Sequence, residues 1–194
     1  MPHVVIGAGG AVETALLPSH IVRLRSRFQD ISISVAISPG ATKFVTDTAL
    51  RGISGGTVYS EHTDFHGSGS IPNHMVLAQA DLIVLFPCTA RIIAECALGI
   101  ISCPVTRLFS FSPKSNVVVT PYLHPDMTES LYTSHIDTLK KVGCTVIKPK
   151  AHGLLWKDES AWLATEAEIA SRLRRTNRDT GRLFEVSPAS KSSR

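Results

Sequence analysis

Residues 71–100 read IPNHMVLAQADLIVLFPCTARIIAECALGI. This stretch predicts a short helix that carries His74, a buried strand ADLIVLF, and a PCTA turn that begins a second helix. Where a parallel strand ends and a helix begins, the first backbone N–H groups of the helix point outward and can bind an anion. The stretch therefore predicts an open α/β sheet and the edge of that sheet at which a ligand binds.

The rest of the chain alternates predicted strands and helices in the same way. Strands are predicted at 2–7, 31–37, 81–86, 116–121 and 144–149, and helices at 11–28, 41–50, 89–99, 128–143 and 164–175. Residues 51–70 are rich in Gly and Ser and predict a long loop. Because alternating strands and helices favour a parallel sheet covered on both faces, the predicted fold is a single Rossmann-like (flavodoxin-like), doubly wound, three-layer α/β domain.

Charge is distributed unevenly along the 194 residues. The formal net charge is +4, but residues 172–194 alone contain seven Lys/Arg and two Asp/Glu. A nucleic-acid-binding protein usually carries its basic residues on a folded face, so no nucleic acid is predicted as a partner. We predict one folded domain over residues 1–175 and a basic, disordered tail over 176–194.

The sequence contains neither a membrane-span pattern nor a signal-peptide pattern. No apolar run approaches the roughly 20 residues of a membrane span, and VVIGAGGAV lacks the basic start of a signal peptide. We therefore predict no membrane partner and a cytoplasmic location.

The cysteines form no C-x-x-C pair, and three lie in apolar contexts typical of buried thiols. Cys88, in the turn after the third predicted strand, is the cysteine expected to face a ligand.

The first glycine cluster, GAGGAV (7–12), predicts a phosphate site. It follows a strand and begins a helix, so its backbone amides can surround an anion. A dinucleotide fingerprint needs Gly or Ala where Val12 stands and an acidic residue at the end of the second strand, where Ser38 begins Ser-Pro-Gly. The cluster therefore favours a mononucleotide, and a tight turn that binds nothing is the alternative. The predicted phosphate-site residues are Gly7, Gly9, Gly10, Ser38 and Thr42.

The segment HTDFH (62–66) has two histidines at i and i+4. It lies in the Gly/Ser loop and lacks the glutamate of a metalloprotease helix. No metal ligands are predicted.

Four segments together carry a family resemblance. They are GAGGAV (7–12), SPGATKFV (38–45), ADLIVLFPCTARIIAECALGI (80–100) and PYLHPDMTESLYTSHIDTLKKVG (121–143). Across residues 2–150 the chain resembles the homo-oligomeric flavin-containing cysteine decarboxylases. This family includes phosphopantothenoylcysteine decarboxylases and the peptidyl-cysteine decarboxylases of lantibiotic, linaridin and thioamide peptide biosynthesis. In the order given, the four segments correspond to four motifs of the family. These are its phosphate turn, its Thr-x-Ser-Ala-x-x-Phe segment, its Pro-Ala-Ser-Ala-Asn-Thr turn and its Pro-x-Met-Asn-x-x-Met-Trp motif.

The resemblance implies a cofactor, a site and an assembly. It implies that FMN binds at the phosphate turn and lies between the subunits of a homo-oligomer, a trimer or a dodecamer. Besides the phosphate-site residues, it places Phe44, Pro87, Cys88, Thr89, Ala90 and Arg91 at the cofactor. It assigns the substrate to His124, Met127 and Trp156, the last of these within a substrate clamp at residues 148–166.

Several family positions are altered in this chain. Arg91 and His124 replace asparagines of the family motifs, and Thr128 replaces a tryptophan. The family's catalytic histidine lies in a helix start of the form His-Ile-x-Leu before Ala-Asp. Ungapped alignment on that Ala-Asp pair puts Asn73 at the histidine position, and a one-residue slip restores His74. We predict His74 as the catalytic base, with an exposed helix-start histidine as the alternative.

The function implied by the resemblance is FMN-dependent oxidative decarboxylation of the C-terminal cysteine of a ribosomally made precursor peptide to an ene-thiol. The flavin carries the difficult step, His74 helps to deprotonate the thiol, and Arg91 and His124 are available to carboxylates. No cysteine follows Cys144, which favours an ene-thiol product over the reduced product of a phosphopantothenoylcysteine decarboxylase. That decarboxylase and a flavin prenyltransferase, whose Pro-Cys-Ser turn PCTAR resembles, remain alternatives. A flavin-fold regulatory binding protein is the non-enzyme alternative.

Overall fold

The computed structural model describes residues 1–63, 65, 71–124, 127, 129–148 and 160–180, with the backbone alone at 129 and 176–180. Over these residues the strands are β1 His3–Ala8, β2 Ser32–Ile37, β3 Val58–Tyr59, β4 Leu82–Cys88, β5 Val117–Pro121 and β6 Thr145–Val146. The α-helices are α1 Leu17–Arg27, α2 Asp47–Ser54, α3 Asn73–Leu77, α4 Ala90–Leu98, α5 Pro104–Phe111, α6 Glu129–Lys141 and α7 Ser160–Thr180. Short 3₁₀ helices occupy Val12–Leu16, Ala41–Lys43 and Lys114–Asn116.

The strands form one sheet in the order β3-β2-β1-β4-β5-β6, and each neighbouring pair is parallel. This 3-2-1-4-5-6 order is the Rossmann arrangement, in which the direction of winding reverses between β1 and β4. The predicted doubly wound α/β fold is confirmed. The topology places the switch point, and hence the expected ligand site, at the carboxyl ends of β1 and β4.

Side chains of the central strands are buried on both faces of the sheet. Val4 and Ile6 of β1 pack into a core that also contains residues of α1, α2 and α7. Val5, between them, belongs to a second core with residues of α3, α4, α5 and α6. Successive side chains of a strand point to opposite faces, and a parallel sheet covered on both faces needs apolar residues at both sets of positions. The near-continuous apolar strands of this sequence thus account for the three layers.

The structure corrects several predicted boundaries. The predicted loop 51–70 contains β3, whose Val58 pairs with Val35 of β2, and two residues are too few to produce a periodic pattern. Helix α5 was not predicted; Pro104 occupies its first turn, where the missing N–H of proline removes no helical hydrogen bond. The predicted helix 11–28 begins as the 3₁₀ helix Val12–Leu16 and becomes α-helical only from Leu17.

The carboxyl-terminal part differs in extent from the prediction. Helix α7 begins at Ser160 and runs to Thr180, past the predicted domain boundary at residue 175. Residues 149–159, which form most of the predicted substrate clamp and include Trp156, and residues 181–194 of the predicted tail lie outside the described part. No helix within the described ranges is both long enough and apolar enough to cross a bilayer.

Candidate functional site

A cavity of about 510 Å³ opens at the switch point, where the loops after β1, β2, β4 and β5 meet. Its size falls within the range of roughly 300–1,000 Å³ found for cofactor and small-molecule sites. It is lined by Gly10, Ala11, Val12, Ser38, Pro39, Gly40, Phe44, Thr89, Ala90, Arg91, Ile92, Cys103, Tyr122, His124 and Met127. We refer to this cavity as the switch-point pocket.

Two glycines, Gly9 and Gly10, bring backbone segments into contact at the back of the switch-point pocket, and we refer to them together as the glycine wall. The N–H of Gly9 donates to the carbonyl oxygen of Pro87 at 2.9 Å, which joins the loop after β1 to the end of β4. A Cβ on Gly9 would lie 2.8 Å from that same oxygen, and a Cβ on Gly10 would lie 2.6 Å from the carbonyl carbon of Gly40. Real Cβ atoms do not approach backbone so closely, so both positions require glycine.

Side-chain hydroxyls fix the loops that bear these glycines. The Thr14 hydroxyl donates to the carbonyl oxygen of Gly9 at 2.6 Å, and its Oγ1 lies 3.5 Å from the N–H of Ala11. On the second loop, the buried Oγ of Ser38 accepts from the N–H of Ala41 at 3.3 Å. Each loop therefore enters a 3₁₀ helix at the pocket, and the N-terminal amides of such turns suit an anion such as phosphate.

The loop after β4 brings a cation, Arg91, to the pocket, and neighbouring side chains hydrogen-bond to it. Arg91, in the first turn of α4, pairs through Nε with Glu95 at 2.6 Å, and its Nη2 lies 3.5 Å from the hydroxyl of Ser102. Glu95 also accepts from Ser102 at 2.6 Å, so the three side chains form one network. The hydrogen bond and charge of Glu95 raise the pKa of the solvent-exposed Arg91. This part of the pocket thus presents a permanent cation in a defined orientation.

The end of β5 supplies the remaining edge. Tyr122 lies there with 8 % of its surface exposed, and its N–H donates to the carbonyl oxygen of Cys88 at 2.8 Å. His124 is exposed at the rim, and its carbonyl oxygen accepts from the N–H of Met127 at 2.9 Å. Tyr122 was not singled out in the sequence analysis because it stands in a loop without periodic pattern. Its position is set by hydrogen bonds from its backbone N–H to Cys88 and from its hydroxyl to Glu13, and both partners are far away in sequence.

The structure brings most of the predicted site residues together. Those that line the switch-point pocket are Gly10, Ser38, Phe44, Thr89, Ala90, Arg91, His124 and Met127. Gly9 and Pro87 stand behind this lining, joined by the hydrogen bond described above. The contact of each with a ligand stays a prediction. Trp156 is outside the described residues.

Three other predicted site residues do not line the switch-point pocket. Gly7 lies within β1, where a Cβ would meet the Leu85 side chain at 2.7 Å, so it serves strand packing. Thr42 is exposed and donates its hydroxyl to the carbonyl of Pro39 at 2.8 Å, which closes a local turn. The Cys88 side chain is buried in the core on one face of the sheet, and burial raises its pKa, so the thiol neither faces the pocket nor ionises readily. The cysteine that lines the pocket is Cys103.

His74 is half-buried on α3 and does not line the switch-point pocket. Its ring centroid lies 4.6 Å from that of Phe111 and 6.3 Å from that of Tyr59. Phe111 ends α5, whereas Cys103, which lines the pocket, precedes the first residue of α5. Eight residues of helix correspond to about 12 Å, so His74 packs against the end of α5 that is remote from Cys103 and the pocket.

Asn73 stands at the alternative position for the catalytic histidine, and its side chain has a structural role. It is 2 % exposed, and its amide group donates to the carbonyl oxygens of Thr63 and Phe65. These bonds attach the loop after β3 to the start of α3. The buried amide is directed at its own loop, whereas the neighbouring His74 reaches the surface.

The residues of the switch-point pocket fit a flavin mononucleotide. The glycine wall and the 3₁₀ N-termini provide backbone donors for one phosphate, and Phe44, Ile92 and Tyr122 provide apolar surface for an aromatic ring system. No acidic side chain follows β2, where a dinucleotide-binding protein holds a ribose.

The fold and the pocket together define a Rossmann-like α/β protein with a mononucleotide-type site at its switch point. The chain belongs to the Flavoprotein family, whose model matches residues 1–177. The predicted family resemblance and the predicted flavin cofactor are thereby confirmed.

Curated relatives carry the name coenzyme A biosynthesis bifunctional protein CoaBC. The relative from Escherichia coli (strain K12) is 29% identical over 148 residues, which are 75% of this chain and 36% of the relative. The relative from Thermococcus kodakarensis is 28% identical over 177 residues, 86% of this chain and 39% of the relative. The chain thus spans little more than a third of the length of these relatives.

Solved structures with the same fold include two decarboxylases. The FMN-dependent cysteine decarboxylase TvaF from thioviridamide biosynthesis superposes with a TM-score of 0.74 and 23% identity, covering 90% of this chain and 99% of TvaF. A PPC decarboxylase mutant complexed with pantothenoylaminoethenethiol gives a TM-score of 0.70 and 18% identity, covering 88% of this chain and 98% of that structure. At these identities the likeness confirms the fold.

Proposed function

We propose that this protein is an FMN-dependent decarboxylase that oxidises and decarboxylates the C-terminal cysteine of a peptide, leaving an ene-thiol. The observation that carries the proposal is the switch-point pocket, which combines a glycine wall for a phosphate with the hydrogen-bonded cation Arg91. Membership of the Flavoprotein family supports the cofactor. The named activities of TvaF and of the PPC decarboxylase support the reaction class.

Two side chains at the pocket rim suit the carboxylate of the substrate. The guanidinium of Arg91 has five N–H donors in a planar fork, so the pairing of its Nε with Glu95 leaves donors for a ligand. His124 also lines the pocket, beyond the end of β5. Because Arg91 stays charged at any physiological pH, it can hold a carboxylate before the chemical step and release neutral carbon dioxide after it.

Proton transfer is assigned to His74. A free cysteine thiol has a pKa near 8.5, so a base that takes its proton raises the reactive thiolate fraction at neutral pH. FMN, when bound, supplies an acceptor for the two electrons of thiolate oxidation. The resulting thioaldehyde allows the neighbouring carboxylate to leave as carbon dioxide, and the electrons of the broken bond remain in the ene-thiol.

The position of His74 supports a site completed by a second subunit. His74 packs on Phe111 at the end of α5, and about 12 Å of that helix separates Phe111 from Cys103, which lines the pocket of the same chain. Phe111, which contacts the His74 ring, and two apolar residues near that histidine in sequence are exposed: Phe111 51%, Ile71 57% and Met75 47%. Exposed apolar side chains of this kind are typical of an interaction surface. We propose a homo-oligomer, a trimer or a dodecamer, in which His74 serves the pocket of a neighbouring copy.

The peptide substrate is supported by residues 148–166. This segment contains no cysteine, and the family resemblance assigns a reducing cysteine to it in phosphopantothenoylcysteine decarboxylases. Without that thiol, the reaction would stop at the ene-thiol. The second candidate is the decarboxylation of phosphopantothenoylcysteine itself, which is favoured by the CoaBC relatives.

The purified protein is expected to be yellow and to release FMN, not FAD, on acid treatment. The reason is the single phosphate-type wall at Gly9 and Gly10 without a ribose-binding acid after β2. For apoprotein, FMN at one hundred times its dissociation constant should stabilise the fold by about 2.7 kcal/mol, visible as a thermal shift. A colourless protein whose unfolding temperature is unchanged by FMN would contradict the cofactor assignment.

The substrate is decided by a comparison of three compounds under identical conditions. A peptide that ends in Cys should lose carbon dioxide and two hydrogens, as measured by mass spectrometry. The same peptide with a terminal Ser should be unchanged, because its hydroxyl is hardly ionised at neutral pH. Turnover of phosphopantothenoylcysteine but not of the peptide would establish the second candidate. Tight FMN binding without turnover of either would favour the flavin-fold binding protein.

A further inference from the structure

A buried carboxylate stands directly behind the switch-point pocket. Glu13 is 3 % exposed and lies in the 3₁₀ helix that follows the glycine wall. Its Oε1 accepts from Nε2 of His20 at 3.1 Å, and its Oε2 accepts from the hydroxyl of Tyr122 at 3.3 Å. The three side chains come from the loop after β1, from α1 and from the end of β5, so they connect segments that are separate in sequence.

The position of this carboxylate requires an explanation. A buried charge is costly unless it is paired and hydrogen-bonded, and an apolar residue at position 13 would fill the same core without that cost. The partners of Glu13 are themselves fixed. The ring of His20 stacks on Trp162 at 4.2 Å and meets the edge of Phe86 at 5.7 Å. Glu13 is therefore held in one place by a rigid support.

Tyr122 connects this support to the pocket. Its backbone N–H is tied to the carbonyl oxygen of Cys88 on β4, and its hydroxyl is tied to Glu13 on the opposite side. The side chain is thus anchored at both ends across the back of the pocket, which Tyr122 lines. An aromatic ring held in one orientation gives a flat cofactor a preformed surface to pack against.

We propose that Glu13 is a positioning residue for Tyr122: through its hydrogen bond it orients the tyrosine ring as a wall for the flavin, and His20 fixes Glu13 from behind. The flavin contact belongs to Tyr122, and Glu13 acts through it. The inference rests on the flavin-binding part of the proposed function and is independent of the substrate.

The first residues of α7 belong to the predicted substrate clamp, 148–166. Trp162 lies on this helix, is fully buried, and forms the stacking partner of His20. It is a core residue and not part of a peptide-binding surface. The order of contacts runs from Trp162 through His20 and Glu13 to Tyr122, so the start of α7 supports the pocket wall.

The test is a double-mutant cycle on FMN binding, read by fluorescence titration of the apoprotein. Tyr122→Phe keeps the ring and removes only the hydroxyl, and it should raise the FMN dissociation constant about tenfold. Glu13→Ala should raise it by a similar factor. The double variant should stay near tenfold and not reach one hundredfold, because both changes break the same hydrogen bond. Glu13→Gln retains an acceptor for the tyrosine and should bind FMN within about threefold of the wild type.

Controls separate positioning from a general loss of stability. Tyr132→Phe removes a tyrosine hydroxyl from α6, from a side chain that does not line the pocket, and should leave FMN binding unchanged. The fluorescence of bound FMN should change in Tyr122→Phe but not in Tyr132→Phe. Unchanged FMN affinity in Tyr122→Phe, or a hundredfold additive effect in the double variant, would overturn the proposal. Failure of the wild type to bind FMN would instead overturn the proposed cofactor.

Discussion

Gly10→Ala is expected to abolish retention of the flavin. The new Cβ would lie 2.6 Å from the carbonyl carbon of Gly40 and 2.7 Å from its Cα, so it meets backbone and no flexible side chain. The loop after β2 would have to move away, and with it Ser38, which lines the pocket. We expect the FMN dissociation constant to rise at least about a hundredfold and the free energy of unfolding to fall by about 1–3 kcal/mol, as in other overpacked sites.

The chain offers a matched control for this substitution. A Cβ on Gly52, within α2, meets no atom within 4 Å. Gly52→Ala adds the same methyl group in open space and removes a glycine from a helix, which usually stabilises by about 0.5–1 kcal/mol. It should therefore keep full FMN binding. Measurement of the flavin-to-protein absorbance ratio after purification, followed by titration with FMN, compares the two variants directly.

The result also decides what the glycine wall does. If Gly10→Ala loses flavin but still unfolds cooperatively, the close approach of the two loops forms the cofactor site. If it retains wild-type affinity for FMN, the loops can separate without consequence and the phosphate lies elsewhere.

The switch-point pocket could be predicted in large part because its residues lie next to strong periodic patterns. The run ADLIVLF predicts β4 by its apolar length, and the turn after it follows from the change to helical spacing. Glycines between a strand and a helix indicate a backbone approach wherever they occur. Gly10 and Ser38 are therefore found from local sequence, Phe44 and Arg91 follow from the family resemblance, and all four line the pocket.

The hydrogen-bonded group of Glu13, His20 and Tyr122 behind the pocket could not be predicted, because no local sequence pattern marks it. Glu13 and His20 stand seven residues apart on different helical turns, and Tyr122 follows 109 residues after Glu13. Each of them alone has the appearance of an ordinary polar residue. The burial of the Cys88 thiol could not be predicted for a related reason: the β4–β5 pairing shifts register between Leu85 and Cys88, and the side chain enters the core.

The last prediction concerns the base. His74→Ala should retain FMN and the wild-type unfolding temperature, while decarboxylation of a Cys-terminated peptide should slow by about 10²–10⁴-fold, the usual contribution of a general base. The side chain is half-buried, and its ring lies against the exposed Phe111 of α5 and the buried Tyr59 of β3. His74 belongs to neither buried core and does not line the switch-point pocket, so its removal should leave both intact. His135→Ala, a half-buried histidine on α6, is the matched control and should keep full activity.

Asn73→Ala distinguishes the two alignments of the catalytic position. Its amide donates to two loop carbonyls, and leaving a buried polar group unsatisfied costs about 1–3 kcal/mol. In a protein of this size each kcal/mol lowers the unfolding temperature by roughly 2–4 °C. We therefore expect Asn73→Ala to lower both stability and activity, whereas His74→Ala lowers activity alone. Loss of activity in Asn73→Ala at full stability, together with an active His74→Ala, would place the catalytic position at Asn73 and refute the assignment of His74.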